Sequence, residues 1–134
     1  MTLVLANVGE TITLEAMVAK TAGQNLVLRL YKNNYIPVEA STAANFTEAN
    51  FVGYSPITLT AANWNTVAGD PSTLDYAKQS FTSSVGGQSQ EVYGYYLTQV
   101  TSGKLVWAER FTSAPYTIIN NGDAIEITLN ISMS

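Results

Sequence analysis

The sequence contains no cysteine and no histidine, and only 12% of its residues are charged. Without cysteine there is no disulfide framework, no thiolate metal site and no thiol redox chemistry. Without histidine, the commonest general base and the commonest transition-metal ligand are both missing. Six Lys and Arg stand against ten Asp and Glu, for a net charge of -4, and no basic run occurs. Phosphate-backbone binding by counterion release has nothing to work with, so no nucleic acid partner is expected. No apolar run reaches the length of a membrane-spanning helix, and no membrane partner is expected. The opening MTLVLANVGE has no positive segment and too short an apolar stretch for a secretory leader. The expectation is a protein made in the cytoplasm and not secreted.

What the sequence does contain is sheet-forming and polar. Its 134 residues suffice for one domain with a core of its own, here taken as residues 1–134. Hydrophobic residues make up 46%, and Thr, Ser and Asn stand where charge is usually found. A surface of that kind is weakly hydrated and suits contact with another protein.

One segment has helical period. In GETITLEAMVAKTAG, Leu14, Met17 and Val18 fall on one helical face. Glu10 and Glu15 near the start, Lys20 near the end and Gly23 as a stop suit a helix over about 10–21. The competing assignment makes TITL a strand. From about residue 25 the period changes to two. NLVLRLYKN alternates Leu26, Leu28 and Leu30 against Val27, Arg29 and Tyr31. YIPVEASTAANFTEANF has no period and is expected to be a long surface connection. ITLT, NWNTV and LDYAKQSFTS follow as strands, with AGDPS as a turn. EVYGYYLTQVTSGKLVWAERF forms a hairpin turning at TSG, where Gly103 can take a left-handed conformation. In the last segment Ile125, Ile127, Leu129 and Ile131 alternate with Glu126, Thr128 and Asn130 after an Asn121-Gly122 turn. The pattern predicts an all-β fold, an antiparallel two-sheet β-sandwich, jelly-roll-like, with one short N-terminal helix. An immunoglobulin-like sandwich is the alternative.

Catalytic readings find little support. Serines are plentiful, but no histidine serves them and no Ser-x-x-Lys pattern occurs. Glu91, Glu109, Asp123 and Glu126 are the candidates for a glycosidase pair, with chance placement as the simpler explanation. Glu109 and Arg110 are strand neighbours, so they point to opposite faces and do not pair with each other. TQVTSGKL resembles a phosphate loop but has Thr98 for its first glycine and Leu105 after Lys104. NNGD offers oxygen atoms at Asn120, Asn121 and Asp123, too few for a calcium loop, and its turn explains it. The expectation is a protein that is not an enzyme, with no catalytic residue, no cofactor and no metal.

The aromatic residues remain. Alternation puts Tyr93, Tyr95 and Leu97 on one face of the first strand against Val92, Gly94 and Tyr96, and splits the second strand into Leu105, Trp107, Glu109 and Phe111 against Val106, Ala108 and Arg110. Tyr93, Tyr95, Trp107 and Phe111 are the candidate interface residues. A flat row of Tyr93, Tyr95 and Trp107 could also bind glycans, as such rows do in sugar-binding modules. Both faces of the hairpin are apolar, which favours burial against a second surface, with another subunit the expected cover.

From about Asn25 onward the stretches NLVLRLYKNN, FTEANFVGY, VYGYYLTQVTSGKLVWAERF and NNGDAIEITLNISM resemble short virion proteins of tailed bacteriophages. Within that group, capsid decoration (cement) proteins are the most similar in character. The resemblance implies a structural protein on the outer capsid surface of the virion, commonly a homotrimer, with the major capsid protein as its partner. A receptor- or glycan-binding module of a tail or head fibre is the alternative. No functional residue is carried over from the resemblance.

Overall fold

The computed structural model describes residues 3–17 and 24–133. They form ten strands and one α-helix, in the order β1 (Val4–Leu5), α1 (Asn7–Met17), β2 (Leu26–Tyr31), β3 (Ile57–Leu59), β4 (Asn65–Val67), β5 (Ser72–Thr82), β6 (Gln90–Val92), β7 (Gly94–Gln99), β8 (Leu105–Arg110), β9 (Tyr116–Ile118) and β10 (Ala124–Met133). Every pairing between these strands is antiparallel. Five strands order as β1-β8-β7-β2-β3, three as β10-β5-β4, and two as β6-β9. The chain is therefore an all-β protein with antiparallel sheets and one short helix.

The helix starts at Asn7, earlier than the sequence pattern predicts, and it contains TITL, so the strand alternative falls. Thr11 and Thr13 hydroxyls donate back to the carbonyls of Asn7 and Gly9, which accommodates polar β-branched residues inside the helix. Its buried side is not the expected one. Leu14 is 60% exposed, while Gly9 is buried and Ile12 packs on the core. The physical reason is backbone proximity: a Cβ at Gly9 would lie 2.1 Å from the Val106 carbonyl oxygen. Glycine at that turn fixes which side faces β8, and Leu14 is left outside. Val18, Lys20 and Gly23 lie outside the described residues, as does the expected helix end.

The central hairpin forms as predicted, but its alternation breaks at the start of β8: Leu105 is buried with Ala108 in one cluster and Val106 with Trp107 in the other, because the register shifts there. β7 and β8 pair from Gly94↔Arg110 to Thr98↔Leu105, with a register shift after Leu97, and Gly103 takes φ of 69° in the turn. Gly94 is required by its neighbours, because a Cβ there would lie 2.2 Å from the Glu109 carbonyl oxygen and 2.7 Å from the Tyr31 ring. The aromatic ring of Tyr31 occupies the space that any side chain at 94 would take.

The stretch expected to be a long surface connection is instead packed structure. Phe46, Ala49 and Phe51 are all buried. Lys32 N–H donates to Thr47 C=O at 2.8 Å and Ala49 N–H donates to Leu30 C=O at 2.9 Å, so residues 47–49 run along the edge of β2 beyond the end of β3. The side-chain oxygens Asn33 Oδ1 and Gln90 Oε1 accept from Thr47, Asn50 and Phe51 N–H groups. These single side-chain bonds replace a regular ladder, which is why the segment shows no period.

One buried cluster draws on every sheet. It holds Leu28, Leu30, Tyr95, Leu97 and Trp107 from the five-stranded sheet and Tyr76, Phe81, Ile125, Ile127 and Leu129 from the three-stranded sheet. Val92 and Ile118 of the two-stranded sheet join it. Trp64 sits at the seam, edge-on to Tyr76 at 5.0 Å and to Trp107 at 6.1 Å.

Candidate interaction surfaces

Of the four aromatic residues proposed as an interface, two are interior. Tyr95 is 6% exposed and Trp107 is 8% exposed, both within the main cluster. They cannot meet a partner while the protomer is folded, and a glycan platform of Tyr93, Tyr95 and Trp107 has no exposed row to use. The alternation fails at Tyr93, which lies in the break between β6 and β7 and packs with Tyr96 on the opposite face, while Val92 joins Tyr95 and Leu97 in the main cluster. Nor does alternation reveal that Tyr95 and Trp107 share that cluster with residues of the three-stranded sheet. The other two stay accessible. Tyr93 is half-buried, with its hydroxyl donating to Glu91 Oε2 at 2.7 Å and the Arg110 guanidinium 5.1 Å above its ring. That hydrogen bond to Glu91 holds the phenol's proton and raises its pKa. Phe111 is half-buried, tilted against Tyr95 at 6.5 Å and edge-on to Tyr116 at 5.3 Å.

The second face of the hairpin is covered by this same chain. Tyr31, Tyr96, Leu105 and Ala108 form a smaller buried cluster with Ala6 and Phe46, and Tyr35, Ala43 and Tyr93 pack against it. Phe46 stacks on Tyr96 with ring centroids 4.7 Å apart and meets Tyr31 edge-on at 4.9 Å. Tyr31 Oη donates to Tyr35 C=O at 3.1 Å, and Arg110 Nη1 donates to the same oxygen at 3.2 Å. Burial raises the pKa of Tyr31 and Tyr96 to about 12, with the Arg110 charge opposing the shift at Tyr31.

Between these two clusters lies a polar pin. Arg29 Nη1 donates to both oxygens of Glu48, at 3.0 and 3.1 Å, while its Nε donates to Thr98 Oγ1. Tyr54 Oη donates to Glu48 Oε2 at 2.7 Å and accepts from Leu30 N–H. Burial first, and the Glu48 hydrogen bond second, push the Tyr54 hydroxyl well above its ordinary value. The constellation ties residues 48–54 to β2 and β7 through Arg29 Nε and Nη1, both Glu48 oxygens and the Tyr54 hydroxyl.

The carboxylates named from the sequence are engaged one at a time. Asp123 Oδ2 accepts the N–H groups of Ile119 and Asn120, which lowers its pKa and closes the NNGD turn. Glu126 pairs with Lys78 at 3.0 Å on the solvent side of β10 and β5. Glu91 holds Tyr93. Glu109 stands opposite Tyr95, and desolvation raises its pKa. Arg110, its neighbour, reaches the other face to Tyr35 and Tyr93. In TSGK, Ser102 and Lys104 close the hairpin turn through Gln99, as Gly103 N–H donates to Gln99 C=O.

Two surface features were not singled out in the sequence. A groove of about 430 Å³ separates β9 from the start of β10, walled by Phe111, Tyr116, Ile118 and Ile125. At one end of the molecule Val52, Val85 and Ile119 are exposed on three loops drawn together by backbone hydrogen bonds, Ser84 N–H to Val52 C=O and Gln88 N–H to Ile119 C=O. Each valine or isoleucine belongs to a different short loop, so no periodic signal marks the group. Comparison of the chain with family models, curated proteins and solved structures returns no match.

Proposed function

We propose that this protein is a bacteriophage structural protein that decorates the capsid, binding the major capsid protein lattice from outside and stabilising it. The observation that carries the reading is the apolar loop end at Val52, Val85 and Ile119, on a chain with only 12% charged residues. Exposed aliphatic residues gathered from separate loops mark a contact surface more often than scattered ones do. The resemblance of its strand-forming stretches to small virion proteins supplies the partner. Binding by area needs no catalytic group; a specific footprint of this kind buries roughly 1,000 Å² or more in total. The aromatic hairpin contributes the rigid base and not the contact.

The sheet arrangement we propose is a β-sandwich, with the five-stranded and three-stranded sheets face to face. Supporting it are the shared cluster and the position of Trp64 between Tyr76 and Trp107.

Heating capsids with and without the purified protein tests the function. Loaded particles are expected to disrupt at a higher temperature, and a V52D/V85D/I119D triple variant that keeps its circular dichroism is expected to lose the effect. Equal disruption temperatures with and without the wild-type protein would refute a decorating role.

A further inference from the structure

β10 is ten residues long and pairs with β5 along one side only. It ends its sheet, and among the described residues no strand takes its other side. An antiparallel strand alternates the side to which its N–H and C=O groups point, so about half of β10's residues direct both groups outward. Sheet edges are usually guarded by brevity, charge or proline. The other edge strands here follow that rule: β1 has two residues, and β3, β4, β6 and β9 have three each. β10 does not. It contains no proline, and its one charged residue, Glu126, is neutralised by Lys78 at 3.0 Å. Beside the first residues of this open edge runs the groove walled by Phe111, Tyr116, Ile118 and Ile125, with Asp123 and Glu126 also lining it and Tyr116 47% exposed.

We propose that β10 pairs antiparallel with β10 of a second copy of this chain, about a twofold axis at Thr128, and that each partner strand's C-terminal end enters the groove between β9 and β10 of the other. This goes beyond the capsid role and does not depend on it. The side-chain pattern suits the pairing. A twofold at Thr128 sets Thr128 opposite its own copy, Glu126 opposite Asn130 and Ala124 opposite Ser132, all in the outer polar row. It sets Ile127 opposite Leu129 and Ile125 opposite Ile131 in the inner row. Because the strand period is two, a twofold centred on a residue never crosses the rows. No like charges come face to face, which would destabilise a cross-strand pair. Ile131, only half-buried in the protomer, meets Ile125 at the groove wall. The result is a continuous six-stranded sheet, β4-β5-β10 followed by the same three in reverse, with about ten added backbone hydrogen bonds. Such a contact closes on itself as a dimer. This dimer differs from the homotrimer that the resemblance implies.

Light scattering on the eluting full chain at micromolar concentration is the test. The expected mass is twice 14.4 kDa. T128K and T128E each place like charges opposite one another at the axis while changing an exposed side chain, and each is expected to weaken dimerisation about tenfold or more, with unchanged circular dichroism. Mixing the two variants restores a mixed dimer. A wild-type monomer or trimer overturns the proposal, and so does a dimer that folded T128K leaves intact. Should either variant fail to fold, amide exchange of the wild type on dilution decides: outward-facing β10 amides must speed up as the protein is diluted, and exchange independent of concentration overturns the pairing.

Discussion

Tyrosine is the residue through which this fold is sensitive to alkali. A phenol ordinarily ionises near 10, and burial moves Tyr31 and Tyr96 to about 12. Burial pushes Tyr54 and Tyr95 higher still, each with a carboxylate nearby, Glu48 and Glu109, adding to the shift. The folded state therefore holds protons that the unfolded chain releases. Stability from these groups is complete below pH 10 and is lost as the pH rises through about 12. Urea midpoints are expected to be flat up to pH 10 and to fall steeply above it. In an ultraviolet titration part of the eight-tyrosine signal should appear only as the protein unfolds. Simultaneous ionisation of all eight near 10 with the fold intact would contradict this.

Among the elements, the one that sequence patterning misjudged is the one whose loss is expected to matter most locally. β2 and β10 were legible because each keeps one period over six or more residues, whereas β5 and the β7–β8 hairpin were legible as strands although a register shift interrupts the period of each. Residues 33–51 keep none, since their burial is set residue by residue through Asn33, Gln90, Ser41 and Glu48. The sequence did show that the hairpin's second face needs a cover. It could not show that the cover is Phe46, fifteen residues beyond the end of β2 and fifty from the Tyr96 it stacks on. Phe46 is 7% exposed and touches Tyr31, Tyr35 and Tyr96. Truncation to alanine leaves a cavity among three rings, and F46A is expected to cost about 3–5 kcal/mol. Urea unfolding measures it, together with a reduced near-ultraviolet circular dichroism signal from the released tyrosines. A loss under about 1 kcal/mol would mean that the segment lies loosely on the sheet and collapses without strain.

At the scale of the whole molecule, sequence period specifies strands but not which strands become neighbours. β9 and β10 flank the Asn121-Gly122 turn, yet β9 pairs with β6 and β10 with β5. Gly122 takes φ of 91° and its N–H donates to Ser83 C=O, so the turn is anchored across the chain rather than closing a hairpin. Interior position was equally hidden: the row holding Tyr95 and Trp107 looks the same in sequence whether it faces a core or a partner. What unites the strands is the single cluster fed by all three sheets. If the sheets pack as a sandwich around it, neither large sheet keeps its buried face when the other leaves, and unfolding has to be one event. Leu129, 2% exposed in β10, tests this from the sheet that carries neither tryptophan. L129A is expected to lower stability by about 2–5 kcal/mol. Its urea midpoint should fall by the same amount whether followed by tryptophan fluorescence, which reports Trp64 and Trp107, or by far-ultraviolet circular dichroism, which reports all strands. A fluorescence transition that stays at the wild-type midpoint while the dichroism divides into two steps would show that the sheets unfold separately, and the sandwich would have to be given up.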